Sequence, residues 1–326
     1  MSVALVTGIT GQTGSYLAEQ LVSAGWTVHG VVRDADEAEA DLSRRTPQAK
    51  LHSGDLENPE RMTELVSSVA PDAIFNLGGI SSVARSWKDP LETARITGLG
   101  VVAMLDAAWQ LRERENRRVS FVQASSAEMF GSAVEVPQNE NTAIAPINPY
   151  GAAKSYAHHL VGVYRRRGLE ASSCILFNHE SPRRPLGFVT RKITHGVAAI
   201  ALGLEQRLVL GNLDAIRDWG WAPDYADALL RAATHTPDDY VIATGDAHTV
   251  RDFVAAAFAA VDITDWEHLV EQDPAFMRPA DAAALVGDPS RARDQLGWTP
   301  TLNFSQTIAA MVAADLELLS GKNATA

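Results

Sequence analysis

Cysteine is almost absent from this chain: its 326 residues contain one, Cys174. No disulfide framework can form within the chain, and a reducing cytoplasm is the expected setting. Cys174 stands in an apolar run and reads as a small core residue. Cations are also few. Against 40 Asp and Glu there are 28 Lys and Arg, a net charge of −12. That sign argues against nonspecific binding to nucleic acid or an anionic membrane, although a few local arginines suffice for a nucleotide. No apolar run approaches the ~20 residues of a spanning helix. The opening "MSVALVTGIT" has no basic stretch before a long apolar one, so a signal peptide is not expected. Repeats and low-complexity segments are lacking, and the tail "SGKNATA" is expected to fray. His158 and His159 are adjacent, which splays them on a helix, so no metal is expected. Ser125 and Ser126 lack the GxSxG elbow of a serine hydrolase.

What is present is an alternation. Short β-rich runs at 3–8, 27–33, 49–56, 72–79, 120–126 and 170–177 are separated by helical patterns at 15–25, 59–70, 100–115 and 150–167. Strands alternating with helices at this spacing predict an α/β fold, a doubly wound parallel sheet of the Rossmann kind. After about residue 178 the pattern loosens and Arg, Gly and Trp become denser, as in "SPRRPLGFVTRKI" and "GNLDAIRDWGWAPDY". The expected division is a dinucleotide-binding part over 1–177 and a smaller, interleaved substrate-binding part over 178–326. Segments of about 215–247 return to the first part, among them the strand-like "DYVIATG" at 239–245.

"VTGITGQTG" sets Gly8, Gly11 and Gly14 between the first strand and the first helix, with Thr10, Gln12 and Thr13 in the same loop. Glycines there permit a tight turn and close approach to a pyrophosphate at a helix N-terminus. At the end of the second strand, Arg33 suits a 2′-phosphate and hence NADP, while the adjoining Asp34 keeps NAD open. Asp55 and Leu56 after the third strand are candidates for the adenine, or Asp55 is a turn residue. Leu77 and Gly78, in "NLGGIS", lie where backbone passes close to a cofactor.

"NPYGAAK" sets Tyr150 and Lys154 four apart, on one face of a helix. A neighbouring ammonium is expected to lower the Tyr150 pKa, so that the phenolate can take a proton from a sugar hydroxyl as hydride leaves carbon. Ser126 and Glu128 are two apart and would project to the same side if the strand persists. Ser126 can bond the reacting oxygen. Glu128 is the unusual residue, because hydride transfer alone needs no carboxylate, whereas elimination beside a ketone needs a base. The bland alternative is that Glu128 caps a turn or pairs with an Arg.

With those residues in place, the chain resembles the extended short-chain dehydrogenase/reductases and, within them, the GDP-mannose 4,6-dehydratases. "TGITGQTGSYLAE", "ILFNHESPRR", "FVTRKIT", "LGNLDAIRDWGWAPDY", "FMRPAD" and "GDPSRARDQLGW" resemble that family's motifs in order. The resemblance implies bound NADP and a reaction on a GDP-sugar. The sugar is oxidised at C4, loses water across C5–C6 and regains hydride at C6, with Ser126, Glu128, Tyr150 and Lys154 as the catalytic group. It implies substrate contacts from Ser81, Asn178, Lys192, Gly211, Arg217 and Arg278, and cofactor contacts from His179 and Arg184. It also implies a homodimer or homotetramer in which Arg183 and Arg184 reach toward a neighbour. The chain departs from the family pattern at Ser126, Asp34, Pro185, Leu186, Trp221, Pro223 and Ser82. These departures keep a GDP-heptose or another GDP-hexose open as substrate. A GDP-4-keto-6-deoxy-sugar reductase and a silent nucleotide-binding scaffold are the rival readings.

Overall fold

The computed structural model describes residues 2–36, 38, 46, 48–276, 282 and 284–321. Strands β1 (Val3–Thr7), β2 (Thr27–Val32), β3 (Lys50–Ser53), β4 (Ala73–Asn76), β5 (Ser120–Ser126) and β6 (Glu170–Leu176) open the fold. Helices α1 (Gln12–Ser23), α2 (Pro59–Val69), α3 (Gly100–Glu115) and α4 (Pro149–Arg166) connect them. Strands β7 (Asn178–Glu180), β8 (Leu208–Leu210), β9 (Ile216–Arg217) and β10 (Trp219–Trp221) follow, with helix α5 (Val189–Ala201). Then come α6 (Ala222–Thr234), β11 (Asp239–Ile242), β12 (His248–Thr249), α7 (Val250–Ala259), β13 (Val270–Gln272), β14 (Ala284–Leu285), α8 (Ser290–Leu296) and α9 (Phe304–Leu319).

Seven strands pair in the order β11-β6-β5-β4-β1-β2-β3, all parallel. The order reverses between β1 and β4. In an open α/β sheet the crevice beyond the strand ends at such a reversal is where ligands bind. Burial explains why the strands read as continuous runs: every residue of β5 is buried, so no alternation marks one face. Leu17 and Leu21 of α1 and Leu229 of α6 cover one face, and Leu65 of α2, Met104 of α3 and Val161 of α4 cover the other.

A second core lies outside the sheet. Ile193 and Val197 of α5, Phe253 and Phe258 of α7 and Met311 of α9 pack together there. The two cores interleave along the chain. Tyr225 of α6 and Tyr240 of β11 sit in the same core as Leu17. So do Leu296 and Trp298, a segment the sequence pattern does not assign there. The Trp298 Nε1–H donates to the Asp224 carbonyl at 2.7 Å, which pins this late segment to the start of α6. Pro223, a departure from the family pattern, sits in the first turn of α6, where its missing N–H is harmless. Among the described residues no helix is long and apolar enough to cross a membrane.

Candidate active site

Gly8 follows β1 with φ +68°, a left-handed conformation that favours glycine. A Cβ there would also lie 2.9 Å from the Gly78 nitrogen at the end of β4. Helix α1 begins at Gln12, three residues sooner than the sequence pattern suggests, so Gly14 lies inside its first turn. The reason is contact: a Cβ on Gly14 would sit 2.1 Å from the Gly8 carbonyl oxygen. Gly11 is the N-cap, with no side-chain cap bond and no acidic residue in the first turn. By contrast α2, α4, α7 and α9 are capped by Asn58, Asn148, Thr249 and Asn303. Uncapped first-turn N–H groups beside the exposed Thr10 and Gly11 fit a pyrophosphate.

The side chains of this loop have a second task. Gln12 Nε2 donates to the His179 carbonyl at 2.8 Å, and Gln12 Oε1 accepts from Ser181 Oγ at 2.8 Å. His179 Nδ1 lies 2.8 Å from the Phe177 carbonyl and must donate there, so its Nε2 accepts from Thr13 Oγ1 at 2.7 Å. Burial pushes His179 down to about 4, consistent with that neutral tautomer. Arg183 donates to Ser15 and Glu19 of α1 and stacks on Tyr16. It is thus engaged within its own chain. Residues 179–183 therefore strap the start of the substrate segment onto α1.

Arg33 and Asp34 are both exposed just beyond β2. Asp55 Oδ1 accepts the Glu57 N–H at 3.0 Å, so Asp55 shapes a turn while Asn58 caps α2. Leu56 sits under the glycine-rich end of β4, since a Cβ on Gly78 would lie 2.8 Å from Leu56 Cδ1. The Gly78 N–H donates to Thr7 Oγ1, holding Leu77 and Gly78 beside β1.

Strand β5 does not persist through Glu128. It ends at Ser126, and Ala127–Met129 form a 3-10 turn whose Glu128 N–H donates to Ser126 Oγ at 3.2 Å. The same-side projection expected of an extended strand is thus replaced by a turn. Helix α4 packs tightly against this turn: a Cβ on Gly151 would come within 2.4 Å of the Glu128 carbonyl oxygen. Glu128 Oε2 accepts from Asn148 Nδ2 at 2.7 Å. Sequence reasoning missed Asn148 as part of this site. The signal for it was the Asn-Pro pair opening a helix.

Tyr150 is 8% exposed, in the first turn of α4. Burial pushes it up to about 12. The Ser126 hydrogen bond pulls against this, the Glu128 charge adds to it, and the Arg184 charge opposes it. The lowering expected from Lys154 is not found: desolvation dominates, and the cation that acts on Tyr150 is Arg184. Lys154 Nζ lies 5.8 Å from the Tyr150 ring centroid and donates to the Ala124 carbonyl at 2.7 Å. Gln123 Nε2 shares that carbonyl and in turn holds Asn76, which accepts from Thr7. A buried polar row through β1, β4 and β5 thus fixes the lysine's anchor.

Burial pushes Lys154 from its ordinary 10.5 down to about 8. Below pH 8 the folded chain therefore carries a buried ammonium, costing roughly 3 kcal/mol. The unfolded chain binds more protons between pH 8 and 10.5, so stability rises with pH across that window. Lys154→Met should accordingly melt higher than the parent at pH 7, with the gap closing toward pH 10, while turnover is lost. Melting curves at several pH values test this. A lower melting temperature at pH 7 would show that the Ala124 bond outweighs desolvation.

Arg184 stacks on Phe188 at 3.8 Å and lies 3.3 Å from the buried Glu180, and its charge acts on Tyr150 of its own chain. Lys192 sits 3.8 Å over the Phe276 ring, and Gly211 lies against the Phe276 carbonyl. These two substrate candidates are brought together. Asn178 is paired with Trp219 between β7 and β10. Arg217 donates to the Ile216 and Ala282 carbonyls. Ser81 is exposed after β4, and Arg278 lies outside the described residues.

A parallel Rossmann sheet, a glycine loop at its reversal point and a buried Ser-Tyr-Lys group define a nicotinamide-dependent enzyme of the extended short-chain dehydrogenase/reductase class. A family model described as GDP-mannose 4,6 dehydratase matches residues 5–311. The GDP-mannose 4,6-dehydratase of Vibrio cholerae is 40% identical over 97% of this chain and 94% of its own. The human GDP-mannose 4,6 dehydratase is 41% identical over 98% of this chain and 92% of its own. The solved structure of RMD from Pseudomonas aeruginosa, complexed with NADPH, superimposes with a TM-score of 0.80 at 25% identity, covering 98% of this chain and all of the other. The chain belongs to the GDP-mannose 4,6 dehydratase family.

Proposed function

We propose that this chain is a cytoplasmic, NADP-dependent enzyme converting GDP-mannose into GDP-4-keto-6-deoxy-mannose. The observation that carries the reading is Glu128, a carboxylate held on a turn between Ser126 and the helix start that bears Tyr150. The glycine loop and α1 N-terminus would hold the cofactor pyrophosphate, Arg33 the 2′-phosphate, and Asp55 and Leu56 the adenine. When bound, the nicotinamide would accept hydride from C4 and later supply it to C6.

Tyr150 takes the C4 hydroxyl proton, Ser126 orients that oxygen, and the Lys154 ammonium supports the phenolate charge. With a ketone at C4, the C5 proton becomes acidic. Glu128 removes it and gives a proton to the departing C6 oxygen. The C5–H and C6–O bonds break, a C5–C6 double bond forms, and water leaves. Hydride returned to C6 would be matched by a proton to C5 from Tyr150 or solvent, and because the hydride taken from C4 is given back, net redox change is zero. Lys192 and Arg217 supply positive charge for the GDP moiety. Exposed Leu99, Tyr156 and Val163 on and beside α3 and α4 suit a helical interface in a homo-oligomer.

Incubation of the protein with GDP-mannose and no added reductant, followed by NMR, should yield the 4-keto-6-deoxy product without net NADPH use. A product that needs stoichiometric NADPH would identify a reductase instead. No product from GDP-mannose would overturn the substrate assignment.

A further inference from the structure

We propose that Asn148 is a positioning residue for Glu128, fixing the carboxylate for proton abstraction beyond its role as a helix cap. The proposal rests on the reading of Glu128 as the base at C5. Asn148 is the N-cap of α4 and is 5% exposed. Its Oδ1 accepts the Gly151 N–H at 2.8 Å, which commits the amide oxygen to the helix. The amide nitrogen must then face the other way, and it donates to Glu128 Oε2 at 2.7 Å. The cap bond therefore decides the orientation of the amide, and the amide steers the carboxylate. An Asp in this place would cap equally well but would set an acceptor against an acceptor. A Ser would cap too, but its side chain is too short to hold the same second bond.

The surrounding backbone removes other freedom. Gly151 lies against the Glu128 carbonyl, and the Ala145 N–H donates to the Met129 carbonyl at 3.0 Å. Gly131, at φ +55°, packs so that a Cβ would meet the Ala145 carbonyl oxygen at 2.0 Å. The turn bearing Glu128 is thus clamped along residues 145–151, and the remaining soft coordinate is the carboxylate side chain. Asn148 donates directly to it. The same first turn carries Tyr150, so one short segment aligns the group acting at C4 and the group acting at C5.

The test compares Asn148→Ser, Asn148→Asp and Glu128→Gln with the parent, using GDP-mannose in D₂O. Deuterium at C5 reads the base step, and the absorbance of reduced nicotinamide in a single turnover reads C4 oxidation. Melting temperature reports the cap. Asn148→Ser should melt like the parent and oxidise C4 at the parent rate, yet exchange C5 roughly tenfold more slowly, as expected for a lost bond to a charged group. Asn148→Asp should lose roughly a hundredfold, with reduced cofactor accumulating. If both variants exchange at the parent rate while Glu128→Gln does not, Asn148 is a cap only and the proposal fails. If losses in C5 exchange only track losses in C4 oxidation or melting temperature, it fails likewise. If Glu128→Gln itself exchanges normally, the base assignment fails first.

Discussion

Glu128→Gln should stop the reaction halfway. Turnover is expected to fall roughly 10²–10⁴-fold, the span of a lost general base, while cofactor binding is retained. In the proposed mechanism oxidation at C4 uses Tyr150, Ser126 and Lys154, whose side chains the substitution leaves in place while removing a charge that raises the Tyr150 pKa. Reduced nicotinamide should therefore accumulate in a single turnover, with no deuterium entering C5 from D₂O. The amide is close in size to the carboxylate, so the turn of Ala127–Met129, set by Ser126 and Gly151, should remain. Deuterium incorporation at the parent rate would remove Glu128 from the base role.

Tyr150→Phe should stop the reaction before its first step. The ring stays to fill its buried place, but the hydroxyl that meets Ser126 and the sugar is gone. A loss of roughly 10²–10⁴-fold is expected, this time with no reduced nicotinamide in a single turnover. The pH dependence carries a sign. Burial holds Tyr150 protonated up to about 12, so the phenolate depends on help from a nearby cation. In the proposed mechanism Lys154 supplies that cation, being charged below about pH 8 and neutral above it. Oxidation in the parent should therefore decline as pH rises through about 8. Stopped-flow absorbance across pH 6–10 measures it. C4 oxidation by Tyr150→Phe at the parent rate would assign the proton transfer to another group.

The sheet, the glycine loop and the Tyr150–Lys154 pair were legible in the sequence because each is a local pattern. β5 and α3 fall at the expected residues and the other expected strands and helices of the first part lie within a few residues of theirs, while the short helices at Val83–Lys88 and Pro90–Thr93 were not expected. What was not legible depends on contacts distant in sequence. β5 is buried at every position, so nothing in its pattern marks where it must end. The turn that follows it packs against Gly151, more than twenty residues later. Asn148 is readable as a cap but not as a partner of Glu128. Arg191, in the motif resembling a substrate segment, forms a buried pair with Asp315 across 124 positions of separation. Trp298 reads as a stray aromatic until α6 is folded beside it. The charge of Arg184 acts on Tyr150 of its own chain, a link between positions 34 residues apart that no local pattern marks.

The strap over α1 has a consequence for how rates should be interpreted. His179 is the one titratable side chain among the bonds joining Gln12, Thr13 and Ser181 to residues 177–181, and it is pushed down to about 4. Protonation there would turn the acceptor Nε2 into a donor facing the Thr13 hydroxyl, but that event is confined to acid well below neutrality. The His179 bonds of this joint therefore keep the same protonation around neutrality. A rate profile between pH 6 and 10 should then carry no ionisation of His179, so the tie it makes between Thr13 and the Phe177 carbonyl persists throughout.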